Sequence, residues 1–354
     1  MNNAFVNYVT TENVSVIEAM QLIDKGAKGI VFVVDENESL IGCVTDGDIR
    51  RWLIKTADLS AKVSEFMYRS PKYIFLSDDI DRDEYMERFS ISALPVLNAD
   101  MQIVDITFRS YAQTETEGDR KRSLNDVDVV IMAGGKGTRL YPYTKILPKP
   151  LIPIGEIPII ERIIDKFTEY GINDYYLTVN YKKGMIKSYF NDLNPKYNIH
   201  YVEENKPLGT GGSLRLIDKK FDKPVFVTNC DILVQANLAD IYNQHIESGN
   251  AITIVSSLKN VVIPYGVLKV KEEGVVEEMQ EKPSMFYFIN TGMYIVNPEL
   301  IELIPEDTFY HMPQLADECI RRGMKVGMYP ISEDAFLDMG EFEEMKRMEE
   351  KLDI

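Results

Sequence analysis

The sequence has few cysteines, no long apolar run and a deficit of positive charge, and each shortage excludes a class of protein. Its three cysteines, Cys43, Cys230 and Cys319, are odd in number and widely spaced, which favours reduced thiols over a disulfide framework or a zinc site. No apolar run approaches the ~18 residues that a membrane span needs. The formal charge of −17 argues against nucleic acid as a partner, because duplex binding depends on basic patches.

The N-terminus lacks a basic stretch followed by an apolar one, so we expect a soluble, cytoplasmic protein that does not associate with membranes. A hexapeptide repeat of the acyltransferase type is also absent, so we expect no second activity. With 354 residues, 45% of them hydrophobic, the chain can bury ample core. Its length predicts two domains, or three if one is small.

The most informative segment, 131–155, reads Ile-Met-Ala-Gly-Gly-Lys-Gly-Thr-Arg-Leu-Tyr-Pro-Tyr-Thr-Lys-Ile-Leu-Pro-Lys-Pro-Leu-Ile-Pro-Ile-Gly. Apolar residues at 127 and 129–131 predict a short buried strand in front of it. The glycines then allow a tight turn whose amides face inward, and such amides bind phosphate oxygens. Arg139 and Lys149 add positive charge. These features predict a loop that holds a triphosphate.

The segment is not a P-loop, since no Gly-Lys-Ser/Thr closes it, and it lacks the third glycine of the dinucleotide motif. The string Gly-Gly-x-Gly-Thr-Arg-Leu followed by Pro-Lys-Pro resembles the signature of sugar-1-phosphate nucleotidyltransferases. The resemblance implies that Arg139 and Lys149 are catalytic, holding the triphosphate and helping pyrophosphate to leave. The nucleotide-binding residues implied here are Gly134, Gly135, Gly137 and Thr138.

From residue 127 onwards the pattern alternates strand and helix, which predicts an α/β domain with a mostly parallel sheet. The resemblance makes it Rossmann-like, of the GT-A-like kind. Ligands of such sheets lie beyond the carboxyl ends of strands. Asp231 stands at such an end, directly after an apolar strand, and Asp338 follows an apolar pair further along the chain. The family resemblance makes both aspartates ligands of Mg²⁺, which suits oxygen ligands, phosphates and water. Cys230 and Phe336 replace the family's glycine and tryptophan beside them.

The segment 203–212 resembles the family's base-binding Pro-Leu-Gly-Thr-x-Gly turn, in which Gly209 lets backbone approach a flat base. A carboxylate at Glu204 can accept both N1–H and N2–H of guanine, so GTP is the expected nucleotide. A glutamate exposed to solvent and use of another nucleotide stay open alternatives.

Three further segments match the family's sugar side in the same order along the chain. By that resemblance, backbone at Gly266 contacts a sugar hydroxyl, Glu281 accepts from sugar hydroxyls and Lys282 binds the 1-phosphate as a catalytic residue. Asn290 and Thr291 line the pocket. For Glu281 and Lys282 the alternative is an exposed ion pair.

Residues 1–111 carry a different pattern, with a two-copy repeat of roughly 55 residues. The repeat resembles a tandem pair of cystathionine-β-synthase (CBS) domains, an α+β module with roles in regulation and dimerisation. In the first copy, Thr45 and Asp48 match the family's Gly-x-x-Thr-x-x-Asp pattern, which implies an adenine nucleotide held by its ribose. The second copy has Asp105 in place of the glycine, so one site at most is expected. The alternative is a homodimerisation module in which these residues only cap a helix.

Residues 112–126 are polar and charged, which predicts an exposed connector before the domain 127–354.

The predicted reaction is attack by a sugar 1-phosphate on an NTP, giving a nucleoside-diphosphate sugar and pyrophosphate. Two other function classes stay open. One is an inactive nucleotide-sensing protein, and the other is a glycosyltransferase that uses a finished nucleotide sugar.

Overall fold

The computed structural model describes residues 5–26, 28–109 and 123–352. The chain divides into two compact units, Met1–Thr116 and Glu117–Ile354. Most of the predicted connector, residues 112–122, lies outside the described residues. In the described part of the chain no helix is long and apolar enough to cross a membrane.

The first unit contains the order strand, helix, strand, strand twice. In each copy the first strand pairs parallel with the second, and the second pairs antiparallel with the third. The copies therefore follow the repeat that the sequence predicts. Their elements are β1 (Val9–Thr11), α1 (Val16–Gly26), β2 (Ile30–Val34), β3 (Leu40–Thr45) and α2 (Asp46–Thr56), then β4 (Ile74–Phe75), α3 (Arg82–Arg88), β5 (Ala93–Leu97) and β6 (Ile103–Phe108).

The second unit alternates strands and helices over most of its length, as predicted. Its first elements are β7 (Val129–Met132), α4 (Tyr143–Ile146), β8 (Pro153–Ile154), β9 (Ile157–Pro158), α5 (Ile159–Thr168), β10 (Asp174–Val179), α6 (Lys183–Leu193), β11 (Asn198–Glu203) and β12 (Val225–Asn229). The others are β13 (Ile232–Val234), α7 (Leu238–Ser248), β14 (Ile252–Val262), β15 (Val267–Val270), β16 (Val276–Gln280), β17 (Ser284–Val296), α8 (Met312–Arg321), β18 (Val326–Ile331), β19 (Phe336–Asp338) and α9 (Phe342–Lys351).

The main sheet of this unit has the strand order β11-β10-β7-β12-β17-β14-β18. Its first four strands are parallel, β17 runs antiparallel to both neighbours, and β18 is parallel to β14. The mixed α/β fold with a mostly parallel sheet is therefore confirmed for this unit. Strands β7 and β12 lie at the centre, so their carboxyl ends meet at one edge of the sheet.

Strand β7 is buried on both faces, because alternate residues of a strand point to opposite sides of the sheet. Val129 and Ile131 pack into one apolar core, and Val130 and Met132 pack into the other. Burial on both sides explains why this strand is a continuous apolar run. It is a rigid base for the glycine-rich segment that follows it.

Helix α5 covers the first of these cores with an apolar stripe at helical spacing. The buried residues of the stripe are Ile159, Ile160, Ile163, Ile164 and Phe167. The helix ends at Thr168. The amides of Tyr170 and Gly171 bond to carbonyls only three residues back, and Gly171 is left-handed with φ 82°, which terminates the helix.

Candidate active site

The glycine-rich turn begins at the carboxyl end of β7 and is closely packed at two of its glycines. A Cβ at Gly134 would lie 2.7 Å from Oε1 of Glu204. A Cβ at Gly137 would lie 3.0 Å from Cβ of Lys149, and Gly137 is left-handed with φ 63°. Gly135 has no such neighbour within 4 Å. The turn therefore needs glycine at 134 and 137 for space, and at 135 its backbone is open.

Lys149 is held inside the site, whereas Arg139 is exposed to solvent. Lys149 opens a short 3-10 turn that is anchored by buried Pro150 and Leu151. Its Nζ donates to Oδ2 of Asp231, and the two side chains are only 15% and 19% exposed. At that exposure the pair is not a freely solvated surface ion pair. Lys149 thus brings its charge to the carboxyl edge of the central strands.

The two predicted metal ligands are neighbours across a small antiparallel ladder formed by β13 and β19. Ile232, directly after Asp231, pairs with Asp338, and the amide of Met339 donates to the carbonyl of Asp231 over 2.8 Å. Asp231 itself lies in the turn between β12 and β13. Residues 107 positions apart in the sequence are therefore brought into one site.

The electrostatics of this pair are those of a cation site. Burial, and then the negative charge of Asp231, raises the pKa of Asp338 to about 6, although Lys149 and the Gly340 amide oppose the rise. The positive charge of one lysine, Lys149, thus offsets the negative charge of two carboxylates. Within residues 5–26, 28–109 and 123–352 no three His, Cys, Asp or Glu converge as a metal cluster. Two carboxylates with excess negative charge fit Mg²⁺, which usually binds one or two carboxylates with phosphates and water.

Cys230 lies between these elements and is buried. Burial raises the pKa of its thiol to about 12, and the charge of Asp231 adds to the effect. The thiol therefore stays protonated and acts as a small packing residue.

Glu204 is buried behind the glycine turn, with 5% of the residue exposed. Its Oε2 accepts from the Leu208 amide over 3.2 Å. Burial raises the pKa of the carboxyl, while this bond and bonds from the Thr178 and Ser213 hydroxyls oppose the rise. The carboxylate therefore contacts both the glycine turn and the predicted base turn, and its contact with a base stays a prediction.

The predicted base turn is fixed by the segment in front of α8. The carbonyl of Tyr310 accepts from the amides of Gly211 and Gly212 over 2.9 and 3.0 Å, and the Tyr310 amide donates to Leu208. Gly209 is left-handed with φ 79°, and a Cβ there would lie 2.6 Å from the Tyr310 carbonyl oxygen. The glycines of this turn are thus needed for backbone packing as well as for any approach to a base.

The predicted sugar-side residues fall into two groups. Gly266 and Glu281 are adjacent on the ribbon β15–β16, where a Cβ at Gly266 would lie 3.1 Å from Oε2 of Glu281. Lys282 follows in a left-handed conformation, φ 46°, and all three are exposed. No described contact joins this group to the aspartates.

The second sugar-side group lies beside β12. Thr291 is buried and donates to the Val255 carbonyl over 2.8 Å, and Asn290 is exposed and donates to the Tyr294 hydroxyl over 2.6 Å. Gly292 follows Thr291 in a left-handed conformation and packs on Asn229. A Cβ added at Gly292 would lie 2.5 Å from Nδ2 of Asn229. This group is therefore next to Gly292, which packs on Asn229, two residues before Asp231 in the chain.

In the first unit, Thr45 and Asp48 cap helix α2 reciprocally. The Asp48 amide donates to the Thr45 hydroxyl over 3.2 Å, while the Thr45 amide and hydroxyl donate to Oδ2 of Asp48. Arg51 pairs with Oδ1 of the same carboxylate. In the second copy, Asp105 pairs with Arg82. The hydrogen bonds that the helix-capping alternative requires are therefore present, and nucleotide binding at Thr45 and Asp48 stays a prediction.

Two groups at the site are missing from the sequence predictions. Tyr181 and Lys182 follow β10 and donate to carbonyls of α4. His311 contacts Thr210 through Nδ1, at 3.3 Å from its amide and 3.2 Å from its hydroxyl oxygen. Only the first group carries a signal in the sequence, since it follows β10 at the carboxyl end of a parallel strand, where ligands of such sheets lie.

Comparison with known proteins adds two family matches. The nucleotidyl transferase model matches residues 128–353, and the CBS domain model matches residues 6–55. The mannose-1-phosphate guanyltransferase of Debaryomyces hansenii is 36% identical over 184 residues, which are 49% of this chain and 51% of that protein. The chain thus spans about half the length of the curated relatives it matches.

Two solved structures are also similar. HddC from Yersinia pseudotuberculosis is 27% identical, with 64% of this chain and 99% of that chain covered and a TM-score of 0.49. A candidate glucose-1-phosphate thymidylyltransferase from Bacillus anthracis, in complex with a sucrose, is 20% identical, with 63% and 94% covered and a TM-score of 0.50. The second similarity supports the fold alone.

Proposed function

The chain belongs to the nucleotidyl transferase family, and on that premise we propose that it transfers a nucleotidyl group from an NTP to a sugar 1-phosphate. An oxygen of the sugar 1-phosphate attacks the α-phosphorus, and a new P–O bond forms. The bond from the α-phosphorus to the bridging oxygen breaks, and this oxygen leaves with pyrophosphate. No protein nucleophile is needed.

The observation that carries the proposal is the meeting of Lys149, Asp231 and Asp338 beside the glycine turn at the carboxyl edge of β7 and β12. This edge is where sheets of this kind bind ligands. A triphosphate there meets open backbone at Gly135 and the ammonium of Lys149. Catalysis is therefore by positioning and charge neutralisation.

Asp231 and Asp338 are the residues that would hold Mg²⁺, which supplies charge neutralisation on the phosphates when bound. Arg139, exposed and next to the glycine turn, is available for the outer phosphates. Lys282, exposed on its ribbon, is available for the incoming 1-phosphate, with Glu281 and Asn290 for sugar hydroxyls.

GTP is the proposed nucleotide. The carboxylate of Glu204 lies against Gly134 and offers two acceptor oxygens, which suit the two donors on guanine. The guanyltransferase name of the relatives supports the same base. We expect Glu204→Gln to reduce kcat/KM for GTP more than for UTP, because an amide presents one acceptor. An equal reduction for both nucleotides would argue against a base contact.

Two sugars are candidates. The order of a CBS pair followed by a bare transferase domain resembles the glucosamine-1-phosphate guanylyltransferase of bacterial legionaminic acid synthesis, and this is the narrower proposal. The names of the curated relatives favour mannose 1-phosphate instead. Other hexose 1-phosphates and uridylyl or thymidylyl transfer are outcomes of the same test.

For the first unit we propose the boundaries 1–111, a connector at 112–126 and regulation by an adenine nucleotide at Thr45 and Asp48, with homodimer formation through this unit. Binding requires the Asp48 carboxylate to exchange its contacts with Thr45 and Arg51 for a ribose. A change in activity on addition of AMP or ATP supports this role, and Asp48→Ala should abolish the change.

The test of the reaction is pyrophosphate release with Mg²⁺ across four NTPs and several sugar 1-phosphates. Release restricted to GTP and glucosamine 1-phosphate supports the narrow proposal, and release with another pair corrects the specificity. Lys149→Met should lower the rate of release by roughly 10²–10³-fold, whereas Lys220→Met, at an exposed lysine of the same unit, should leave it unchanged. Bound nucleotide without release for any pair would favour the sensing protein.

A further inference from the structure

Helix α4 joins the two predicted triphosphate cations, because it lies between Arg139 and Lys149 in the sequence. It has only four residues, Tyr143–Ile146, and its N-cap, Pro142, makes no side-chain capping bond. Of these four residues only Thr144 is buried, and Ile146 is 72% exposed. A helix this short is not stable in isolation. Its conformation must therefore be maintained by contacts from elsewhere in the fold.

Those contacts come from two consecutive residues after β10. The Tyr181 hydroxyl donates to the Thr144 carbonyl over 3.0 Å. The Lys182 ammonium donates to the carbonyls of Lys145 and Ile146 over 2.6 and 2.7 Å. Three successive carbonyls at the end of a helix, which have no partner within it, thus receive side-chain donors. A cation is also the favoured charge at this end.

Lys182 reaches these carbonyls from a left-handed backbone conformation, with φ 51° and ψ 33°. A residue other than glycine seldom adopts this conformation, and it costs energy. The neighbouring residues bind to other parts of the same site. Asn180 donates to the Glu204 carbonyl over 2.8 Å, and the Tyr181 amide lies 3.5 Å from the Gly134 carbonyl. The segment 180–182 therefore contacts the glycine turn, α4 and the predicted base turn.

We propose that Lys182 is a positioning residue of the nucleotidyl transfer site. It fixes the end of α4, and thereby the start of the turn that carries Lys149, relative to the glycine turn. Tyr181 assists it through the Thr144 carbonyl. This role rests on the proposed function, since it concerns the alignment of the triphosphate, and it assigns Lys182 no contact with substrate.

The kinetic test compares Lys182→Met with Lys182→Arg and Lys183→Met. We expect kcat/KM for GTP to fall roughly tenfold or more in Lys182→Met, because two charge-assisted hydrogen bonds to the loop are lost. Arginine keeps the charge and several donors, so Lys182→Arg should restore most of the activity. Lys183 pairs with exposed Glu203, and its loss should change little.

A second variant separates this role from folding. Lys182→Gly removes the same hydrogen bonds but relieves the left-handed strain. It should therefore lose kcat/KM as Lys182→Met does without a lower melting temperature. Full activity in Lys182→Gly, or an equal loss in Lys183→Met, would overturn the proposal.

Hydrogen exchange of the full-length protein without substrate gives a readout that is independent of the reaction. The amides of Lys145 and Leu147 donate to the carbonyls of Pro142 and Tyr143, and they should exchange faster in Lys182→Met and at the wild-type rate in Lys183→Met. Unchanged exchange in Lys182→Met refutes the contact's role. Faster exchange in Lys182→Met, together with a wild-type protein that catalyses no nucleotidyl transfer, would support the positioning contact while rejecting the proposed reaction.

Discussion

Replacing Asp338 by asparagine should stabilise the protein in the absence of Mg²⁺. The carboxyl has a native pKa of about 6, against about 3.9 for aspartate in an unfolded chain. At this carboxyl the native state therefore binds more protons than the unfolded state between these values, so the contribution of Asp338 to wild-type stability falls as pH rises through about 4 to 6 and stays lower above. The difference in pKa corresponds to at most about 3 kcal/mol at pH 8.

Asparagine keeps an oxygen for the Gly340 amide, which bonds to Asp338, and it carries no charge at any of these pH values. The gain in the free energy of unfolding of Asp338→Asn over the wild type should be near zero below about pH 4 and complete above about pH 6. For a unit of this size about 3 kcal/mol raises the melting temperature by roughly 6–12 °C. The variant should also lose most of the stabilisation that Mg²⁺ with GTP gives the wild type.

Thermal unfolding followed by circular dichroism at pH 4 and pH 8 measures this effect. The single tryptophan, Trp52, stacks on Phe66 in the first unit, so its fluorescence reports that unit and should change less than the dichroism. Asp222→Asn, at an exposed aspartate, is the matched control. An equal rise in melting temperature at both pH values, or an equal rise in the control variant, would refute the electrostatic reasoning.

Three other substitutions test the remaining contacts of the site. Lys149→Met should lower kcat by roughly 10²–10³-fold in a pyrophosphate assay, since it removes the cation paired with Asp231; a tenfold effect or less would be too small. Gly134→Ala should raise KM for GTP, because its Cβ would lie 2.7 Å from a buried carboxylate, whereas Gly184→Ala, with nothing within 4 Å, should not. Gly209→Ala should lower the melting temperature by an amount equivalent to about 1–3 kcal/mol, because its φ is 79° and a carbonyl oxygen occupies the space; unchanged melting would contradict that packing.

The elements that could be predicted from the sequence are those encoded locally. The apolar run before Gly134 predicts β7, and the residues of α5 carry their own helical spacing. Asp231 and Asp338 could be assigned to one site only through the family resemblance. Their actual contact depends on β13 pairing with β19, two three-residue strands too short to show a pattern.

Contacts between distant segments account for what could not be predicted. The hydroxyls of Thr178 and Ser213, which bond to the buried Glu204 carboxyl, lie on different elements. The bonds from Lys182 to α4 span more than thirty residues and depend on a left-handed backbone at a lysine, for which the sequence has no marker. A strand end predicts only that such residues lie near the ligand edge.

The reaction that we propose joins a nucleotide to a sugar phosphate. Phosphorus NMR of GTP, Mg²⁺ and sugar 1-phosphate incubated with the protein measures this directly. The predicted result is the appearance of pyrophosphate and a nucleoside-diphosphate sugar in equal amounts, both dependent on the sugar 1-phosphate and on Lys149. Release of GDP and inorganic phosphate instead, or an unchanged spectrum while GTP binds, would contradict the proposed reaction.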